Sequence, residues 1–408
     1  MTGDDARPAD PLDLLALEDE LSPAERETRD RVRALVDEHV RPHVARWFAD
    51  AVFPLDLVPR LAEAGLLGMH LPGHGCAGRS AVEYGLAMAE LEAGDSGIRT
   101  FVSVQGSLAM TAIAKHGSAE QQERWLPGMA AGELLGCFAL TEPAAGSDPA
   151  AMQTTATRTG DGWVLSGRKR WIGLASVADV AVVWARAVAP EHDDDAAADG
   201  GRAPRVRGFL VPTTTPGFAA RPIEPKLSLR ASVQCDVTLD DVRLPADALL
   251  PEHPGLAGPF ACLDEARYGI AWGAAGAARD SLDAALRHAG ERVQFGRPIA
   301  AFQLTQAKLV DMALEVSRAQ LLALRLGRLK DAGRLEAHMI SAGKLANVRS
   351  AIEVARTART VLGGDGITLE HSPMRHAANL ESVRTYEGTD EVHTLILGRH
   401  LTGHQAFR

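Results

Sequence analysis

A glutamate near the end of the chain has the surroundings of a candidate catalytic base. It lies in TYEGTDEVHTLILGR, residues 385–399, where Glu387 stands beside Gly388 and two more carboxylates follow closely. An acid at the start of a helix is favoured by the helix dipole, which is the ordinary structural explanation. A carboxylate also serves as a base when burial raises its pKa towards the working pH. The local pattern alone favours the first explanation, so the rest of the chain has to decide.

The periodicity of the chain predicts the regions that would position this glutamate. With 408 residues and 46% hydrophobic content, the chain can form two or three domains with a substantial core. We predict a flexible tail over 1–22, an N-terminal helical domain over 23–136, a small central β domain over 137–256 and a C-terminal helical bundle over 257–408. The predicted fold class is therefore α+β.

Two apolar patterns support this division. A strict alternation within residues 232–240 predicts a strand with one buried face, formed by Val233, Cys235, Val237 and Leu239. Spacings of three and four predict a long bundle helix with one apolar seam, formed by Leu309, Met312, Val316, Ala319, Ala323 and Leu326. Between strands, residues 189–205 are predicted to form a low-complexity surface loop.

Charge and cysteine usage exclude several classes of function. A net charge of −10 argues against a nucleic-acid partner, which requires clustered cations. The four scattered cysteines have no metal-binding spacing, so we expect no metal site and a reducing, cytoplasmic environment. No apolar run reaches the length of a membrane span, and the polar N-terminus does not resemble a targeting signal. GHGCAG, residues 73–78, fits the dinucleotide-binding G-x-G-x-x-G pattern, but its helical context favours an ordinary turn.

Five motifs in order resemble those of the acyl-CoA dehydrogenase family. They are CFALTEPAAGSD (137–148), GRKRWIG (167–173), RVQFGRPIAAFQ (292–303), LGGDGI (362–367) and TYEGT (385–389). The resemblance runs from about residue 25 to the end, and several stretches are most similar to the glutaryl-CoA dehydrogenase branch. It implies a C-terminal four-helix bundle, non-covalent FAD, a homotetramer and an electron-transferring flavoprotein as acceptor. It also implies dehydrogenation of a short acyl-CoA with a terminal carboxylate, namely glutaryl-CoA, with decarboxylation to crotonyl-CoA.

The resemblance assigns the catalytic base. In this family a base removes an α proton from the acyl thioester, and Glu387 matches that base. Gly388 matches the residue that lets the substrate approach closely and donates its backbone N–H to the thioester oxygen. Some relatives carry the base on an earlier helix, at the position of Ala266, which cannot serve. Glu265 lies next to that position and has to be considered as well.

The resemblance also assigns cofactor and substrate contacts. Around the flavin and its phosphates it implies Leu140, Thr141, Ser147, Trp171, Thr389 and Glu391. For the adenine half, across a subunit interface, it implies Arg292, Phe295, Gln303, Gly363 and Gly364. For a far carboxylate of the substrate it implies Arg99, with Glu92 and Ser103 in the same network. For the CoA portion it implies Arg267 and Phe407, with residues 260–267 along the pantetheine.

One departure from the family pattern leaves alternatives open. Gly173 stands where most relatives have a threonine, whose hydroxyl lies near the reactive edge of the flavin. Its absence predicts an altered reduction potential or oxygen access, and the KRWIG form also resembles plant short-chain acyl-CoA oxidases. The alternatives are therefore an oxidase, or a dehydrogenase acting on another acyl thioester, including a biosynthetic one. A non-catalytic flavin-binding relative is a third alternative, against which Glu387 and the net charge both count.

Overall fold

The structure is a computed structural model that describes residues 10–188, 205–252 and 255–407. Most of the predicted loop at 189–205 and the first nine residues of the predicted tail lie outside the described residues. The described part of the tail contains a short 3₁₀ helix, Leu17–Glu20. Glu18 in this helix accepts hydrogen bonds of 2.6 and 2.8 Å from Arg29, so this part of the tail lies against the first α-helix.

The N-terminal region is helical, and its helices begin at clear capping residues. Ser22, Ser80 and Ser118 each form a capping box with the residue three positions later, which satisfies backbone N–H groups at the helix start. The helices are α1 (Pro23–His39), α2 (Val44–Asp50), α3 (Val58–Glu63), α4 (Ala81–Gly94), α5 (Ser96–Val102), a π-helical segment (Ser103–Met110), α6 (Thr111–His116) and α7 (Ala119–Ala130).

The central region is a seven-stranded sheet. Its strands are β1 (Gly136–Ala139), β2 (Thr155–Arg158), β3 (Gly162–Gly173), β4 (Val180–Val188), β5 (Arg205–Pro212), β6 (Phe218–Pro222) and β7 (Gln234–Pro245). Their order in the sheet is β1-β4-β2-β3-β7-β6, with β5 also paired to β4. Strands β1 and β2 run parallel to β4, and the other pairs are antiparallel. The register between β3 and β7 shifts between Lys169 and Ile172, which marks a bulge at Trp171.

The C-terminal region is again helical. A two-stranded hairpin, β8 (Val293–Gln294) and β9 (Arg297–Pro298), separates its first two helices. The predicted apolar seam lies on the second of them, Gln303–Asp331, where its members are buried except for the half-buried Leu309. The helices are α8 (Ala257–Glu291), α9 (Gln303–Asp331), α10 (Ala337–Val361), α11 (Ser372–Val383) and α12 (Asp390–Thr402). The α+β fold with helical ends and a central sheet is thus confirmed.

Two cores hold these regions together. The larger one joins the N-terminal helices, both faces of the sheet and the first half of α8. The smaller one lies within α8, α9, α10 and α11. Among the described residues, no helix combines the length and apolar character needed to cross a bilayer.

A buried polar junction connects the segment that carries Arg99 to the helix that leads to Glu387. Asp95 caps α5 by accepting a 2.7 Å bond from the backbone N–H of Gly97. Its other oxygen accepts bonds from Arg375 (2.6 Å) and Asn379 (3.0 Å) on α11. Because these groups are buried, breaking the junction would leave an unpaired charge, so the relative position of α5 and α11 is strongly fixed.

Candidate active site

The turn that carries Glu387 precedes a helix and is not part of it. Helix α12 begins at Asp390, and the side chain of Thr389 caps it by accepting a bond from the Val392 N–H at 3.3 Å. The acids of the first helical turn are Asp390 and Glu391. The first-turn explanation of Glu387 is therefore wrong. Its backbone has a φ of 54°, a left-handed conformation that is costly for a non-glycine residue and is often found at functional sites.

Glu387 is half-buried, and its carboxylate interacts with three cations. Its Oε2 atom is buried and accepts no hydrogen bond from the described residues. Burial raises the pKa of Glu387 above its ordinary value, whereas the charges of Arg99, Lys344 and Arg267 act in the opposite direction. The net result is a raised proton affinity on an unpartnered oxygen, which is what a general base requires.

Gly388 is required by both backbone conformation and space. Its φ is 100°, outside the range that L-residues ordinarily adopt. A Cβ atom at this position would lie 2.8 Å from Nε2 of His393, which is buried on α12. The turn can therefore pass over the His393 ring only if residue 388 has no side chain.

Replacing Gly388 with Ala is expected to lower kcat by about 100-fold, because a displacement of about 1 Å at the base has that effect. Thermal unfolding should show a loss of about 1–3 kcal/mol from the backbone strain. Gly398→Ala on the helix that follows the turn, α12, is the matched control, since nothing lies within 4 Å of its Cβ position. Equal kinetics for G388A and G398A would show that the turn tolerates a side chain.

A second group of buried polar side chains lies next to the base turn, the segment 386–388 that carries Glu387. Arg99 is fully buried and donates through Nε to Glu92 and through Nη2 to the Tyr386 hydroxyl. Arg99 Nη1, Glu92 Oε1 and Ser103 Oγ are buried and have no hydrogen-bond partner among the described residues. Gly273 on α8 allows this close packing, because a Cβ there would lie 2.5 Å from Glu92 Oε2. The structure thus brings together the three residues predicted to read a carboxylate.

The alternative base position is blocked. Ala266 is fully buried in α8, and Glu265 beside it accepts bonds from Lys115 (2.9 Å) and Lys330 (2.5 Å). Burial alone would raise the pKa of Glu265, but Lys330 and the other nearby cations outweigh it and hold the pKa at about 2. A carboxylate held in this way does not act as a base near neutral pH, so Glu387 has no competitor here.

The residues predicted for CoA lie near the same turn or on the surface. Arg267 donates through Nε to the backbone carbonyl of Glu387 at 2.8 Å and through Nη1 to Asp264 at 3.0 Å. Phe260 and Phe407 are 37% and 45% exposed, as suits residues that contact a ligand at the surface. Contacts of Arg267 and Phe407 with CoA remain a prediction.

Comparison with known proteins identifies the family. Family models of the acyl-CoA dehydrogenase N-terminal, middle and C-terminal domains match residues 22–133, 137–242 and 255–402. The chain belongs to the acyl-CoA dehydrogenase family. It is a flavin-dependent acyl-CoA dehydrogenase, an oxidoreductase with FAD as its cofactor.

Solved structures and curated sequences point to two branches of the family. A glutaryl-CoA dehydrogenase structure from Mycobacterium smegmatis is 58% identical, with a TM-score of 0.93 over 98% of this chain and 100% of that one. A second one, in complex with FADH2, is 53% identical, with a TM-score of 0.93 over 98% and 99%. The human mitochondrial short-chain specific acyl-CoA dehydrogenase is 37% identical over 90% of this chain and 88% of its own length.

The residues predicted to hold the flavin ring lie on and beside β3 of this acyl-CoA dehydrogenase. Leu140 follows β1, and its carbonyl accepts a 3.0 Å bond from the buried Lys169. Thr141 accepts a 2.9 Å backbone bond from Arg170, and Ser147 is exposed in the following loop. Trp171 has a φ of 63° and is 52% exposed. A large aromatic side chain displayed on a strained bulge is a feature that fits an aromatic ligand.

The residues predicted for the phosphates and the adenine half are also accessible. Thr389 and Glu391 lie at the N-terminus of α12, where helix geometry favours phosphate. Phe295 in the β8–β9 hairpin has a φ of 52° and is 95% exposed. The remaining members of this set, Arg292, Gln303, Gly363 and Gly364, are exposed as well. The residues present thus fit FAD, while their individual contacts with it remain predictions.

The space beside Gly173 is occupied by a side chain from the neighbouring segment. A Cβ at this position would lie 3.2 Å from Cγ2 of Val104 in the π-helical segment, closer than most side chains tolerate. Gly173→Thr is therefore expected to lower the free energy of unfolding by about 1–3 kcal/mol through overpacking. The double variant G173T/V104A should recover much of that loss relative to the two single variants in urea titrations. If the losses in free energy of unfolding of the two single variants simply add up in the double variant, this packing contact would be contradicted.

Two residues of this site were missed by the sequence analysis. Tyr386 lies within the TYEGT motif, but nothing in the motif indicates that its hydroxyl accepts a bond from Arg99. Lys344 is 2% exposed on α10, yet in the sequence it resembles any helical lysine. A lysine inside an otherwise apolar helical face is the one signal that could have identified it. Among the described residues, no cluster of His, Cys, Asp and Glu could hold a metal ion.

Proposed function

We propose that this acyl-CoA dehydrogenase oxidises a short acyl-CoA that ends in a carboxylate, namely glutaryl-CoA, and decarboxylates it to crotonyl-CoA. The observation that carries the proposal is the fully buried Arg99 with an unpartnered Nη1, beside the unpartnered oxygens of Glu92 and Ser103. A fatty acyl chain would leave this guanidinium poorly satisfied in a dry pocket, which is costly. A carboxylate oxygen would supply the missing acceptor.

The base turn performs the first step. Glu387 takes the α proton of the acyl thioester on its unpartnered oxygen. The backbone N–H of Gly388, which has no acceptor among the described residues, donates to the thioester oxygen as enolate charge forms there. When bound, FAD supplies the acceptor that takes the β hydrogen as hydride. The turn itself is half-buried, and bound substrate and cofactor would exclude water from it and strengthen these interactions.

The second step follows from conjugation. After oxidation, the carboxylate is attached to the γ carbon next to the new double bond. Loss of CO₂ leaves the bonding electron pair in a dienolate that extends to the thioester oxygen, where Gly388 N–H again donates. Protonated Glu387 then returns its proton to the γ carbon, which gives the crotonyl thioester. Because Glu92 shares Arg99 with the substrate, it weakens the hold on the departing carboxylate.

The partners are part of the same proposal. We propose an electron-transferring flavoprotein as the electron acceptor, as the family resemblance implies. A homotetramer is supported by an exposed apolar face of α9, formed by Val310, Leu314 and Leu321. A cytoplasmic location is supported by the four free cysteines, which suit a reducing compartment.

The test is an anaerobic titration with matched acyl-CoAs. The purified holoenzyme is mixed with glutaryl-, adipyl-, butyryl- and hexanoyl-CoA, and bleaching of the flavin absorbance is followed in each case. The proposal predicts the fastest bleaching with glutaryl-CoA. Faster bleaching with butyryl-CoA would instead favour a short-chain dehydrogenase without a carboxylate site.

An acyl-CoA oxidase is a second candidate, because Gly173 replaces the usual threonine. The two candidates differ in how the reduced flavin is reoxidised. An oxidase would be reoxidised by air within seconds and produce hydrogen peroxide, whereas a dehydrogenase would need an added acceptor. The same bleached samples can be opened to air to decide this point.

A further inference from the structure

Three consecutive carbonyl groups of the base turn are held by two cations. Lys344 on α10 donates through Nζ to the carbonyls of Tyr386 and Gly388, each at 2.5 Å. Arg267 on α8 donates through Nε to the carbonyl between them, that of Glu387, at 2.8 Å. Lys344 is 2% exposed, and burying an ammonium group is costly, so this contact calls for an explanation.

We infer that Lys344 is a positioning residue of the reaction, which fixes the base turn in its active conformation. The inference rests on the proposed role of Glu387 as the base. The two bonds of Lys344 bracket Glu387 and hold it in the left-handed conformation, with φ at 54°, which is unfavourable for a non-glycine residue without such contacts.

The same contacts aim the backbone donor. In a trans peptide the C=O and the following N–H point in opposite directions. Because the Glu387 carbonyl points to Arg267, the N–H of Gly388 points away from it, and Lys344 fixes the peptide units on either side. Lys344 and Arg267 together therefore set the direction of the N–H that is proposed to stabilise the enolate.

The charge of Lys344 also acts on the base. The charged groups that face Glu387 are Arg99 from α5, Arg267 from α8 and Lys344 from α10, and Asp390 of α12 faces Lys344. Burial lowers the pKa of Lys344 to about 7, while Glu387 acts to raise it. Burial also lowers the pKa of the neighbouring His393 to about 3, so that its ring is neutral. Removing the ammonium group would leave Glu387 with two of its three neighbouring cations and therefore a higher pKa.

The experiment uses the proposed product, so that proton transfer is separated from oxidation. By reversal of the last step, holoenzyme incubated with crotonyl-CoA in D₂O should exchange the γ hydrogens through Glu387, which mass spectrometry measures. Lys344→Met is expected to slow this exchange by about 100-fold. In a plot of exchange rate against pH, the loss of rate on the acidic side should occur about one pH unit higher than in wild type, because deprotonated Glu387 loses a stabilising cation.

Asn347 provides the matched control on the same helix. It is buried and donates to the carbonyls of Ala271 and Ala319 at 2.8 and 3.0 Å, so its bonds join helices and do not reach the base turn. Asn347→Leu should lower the melting temperature without moving the pH at which the exchange rate is lost. Lys344→Arg, which keeps the charge and the donors, should restore much of the exchange and serves as the test if K344M does not fold.

The outcomes separate this inference from the proposed function. If wild-type enzyme shows no exchange, or if E387Q exchanges as fast as wild type, the proposed role of Glu387 fails. If E387Q abolishes exchange while K344M and K344R both keep the wild-type rate and pH dependence, only the inference on Lys344 fails. A pH dependence that shifts equally in K344M and N347L would also overturn it, since both would then act through stability.

Discussion

Replacing Glu387 with Gln is expected to lower kcat by at least about 10³-fold, the contribution typical of a general base at the upper end of its range. Gln has nearly the same shape and cannot accept the α proton. Fold and FAD content should be preserved, because the Oε2 atom that changes has no hydrogen-bond partner among the described residues. The measurement is single-turnover flavin reduction by glutaryl-CoA under anaerobic conditions.

Glu265→Gln is the matched control for this variant. Glu265 lies beside the alternative base position and is paired with Lys115 and Lys330. Its replacement should cost stability and leave kcat close to wild type. Turnover near wild type in E387Q, or a comparable loss in E265Q, would remove Glu387 from the mechanism.

The pH dependence of the wild-type enzyme follows from the same residue. Burial raises the pKa of Glu387 in the folded protein, and only the deprotonated form accepts the α proton. Activity should therefore be lost as the pH falls through this raised pKa, at a higher pH than for an exposed glutamate. This loss of activity at low pH should be absent from the residual activity of E387Q.

Replacing Arg99 with Met is expected to lower kcat/KM for glutaryl-CoA relative to butyryl-CoA by about 30- to 5,000-fold, since a desolvated charge pair is worth about 2–5 kcal/mol. The uncharged butyryl chain gains an apolar wall instead. The measurement is the ratio of the two kcat/KM values in wild type and variant. An unchanged ratio would show that Arg99 does not read a carboxylate.

Arg99→Met also leaves a neighbouring buried charge unpaired. Glu92 is fully buried and pairs with Arg99, so its charge would lose its counterion. The double variant R99M/E92Q removes both charges and should fold better than R99M. If its substrate ratio matches that of R99M, the effect belongs to recognition of the carboxylate and not to a disturbed pocket.

Much of the fold could be predicted because its signals are local. The seam on α9 and the alternation in β7 follow directly from helix and strand periodicity, and the helix starts at Ser22 and Ser80 carry capping boxes. The family motifs added the order of the three regions. The local pattern alone favoured Glu387 as an acid of the first helical turn. The structure instead places it in the turn before α12, because the sequence does not reveal that its backbone is left-handed.

The contacts within the site could not be predicted, because they join residues far apart in the chain. The bond from Arg99 to Tyr386 spans 287 positions, and that from Lys344 to Tyr386 spans 42. The junction of Asp95 with Arg375 is of the same kind. Periodicity describes one element at a time, whereas these contacts depend on how α5, α10 and α11 pack.

The most direct test of the central claim is the fate of the substrate carboxylate. Holoenzyme is supplied with glutaryl-CoA labelled with ¹³C at the terminal carboxylate and with an artificial electron acceptor, and labelled CO₂ and thioester products are quantified together. The proposed function predicts one labelled CO₂ per acceptor reduced, with crotonyl-CoA as the product. Glutaconyl-CoA that accumulates without CO₂, or no oxidation of glutaryl-CoA while butyryl-CoA is consumed, would contradict it.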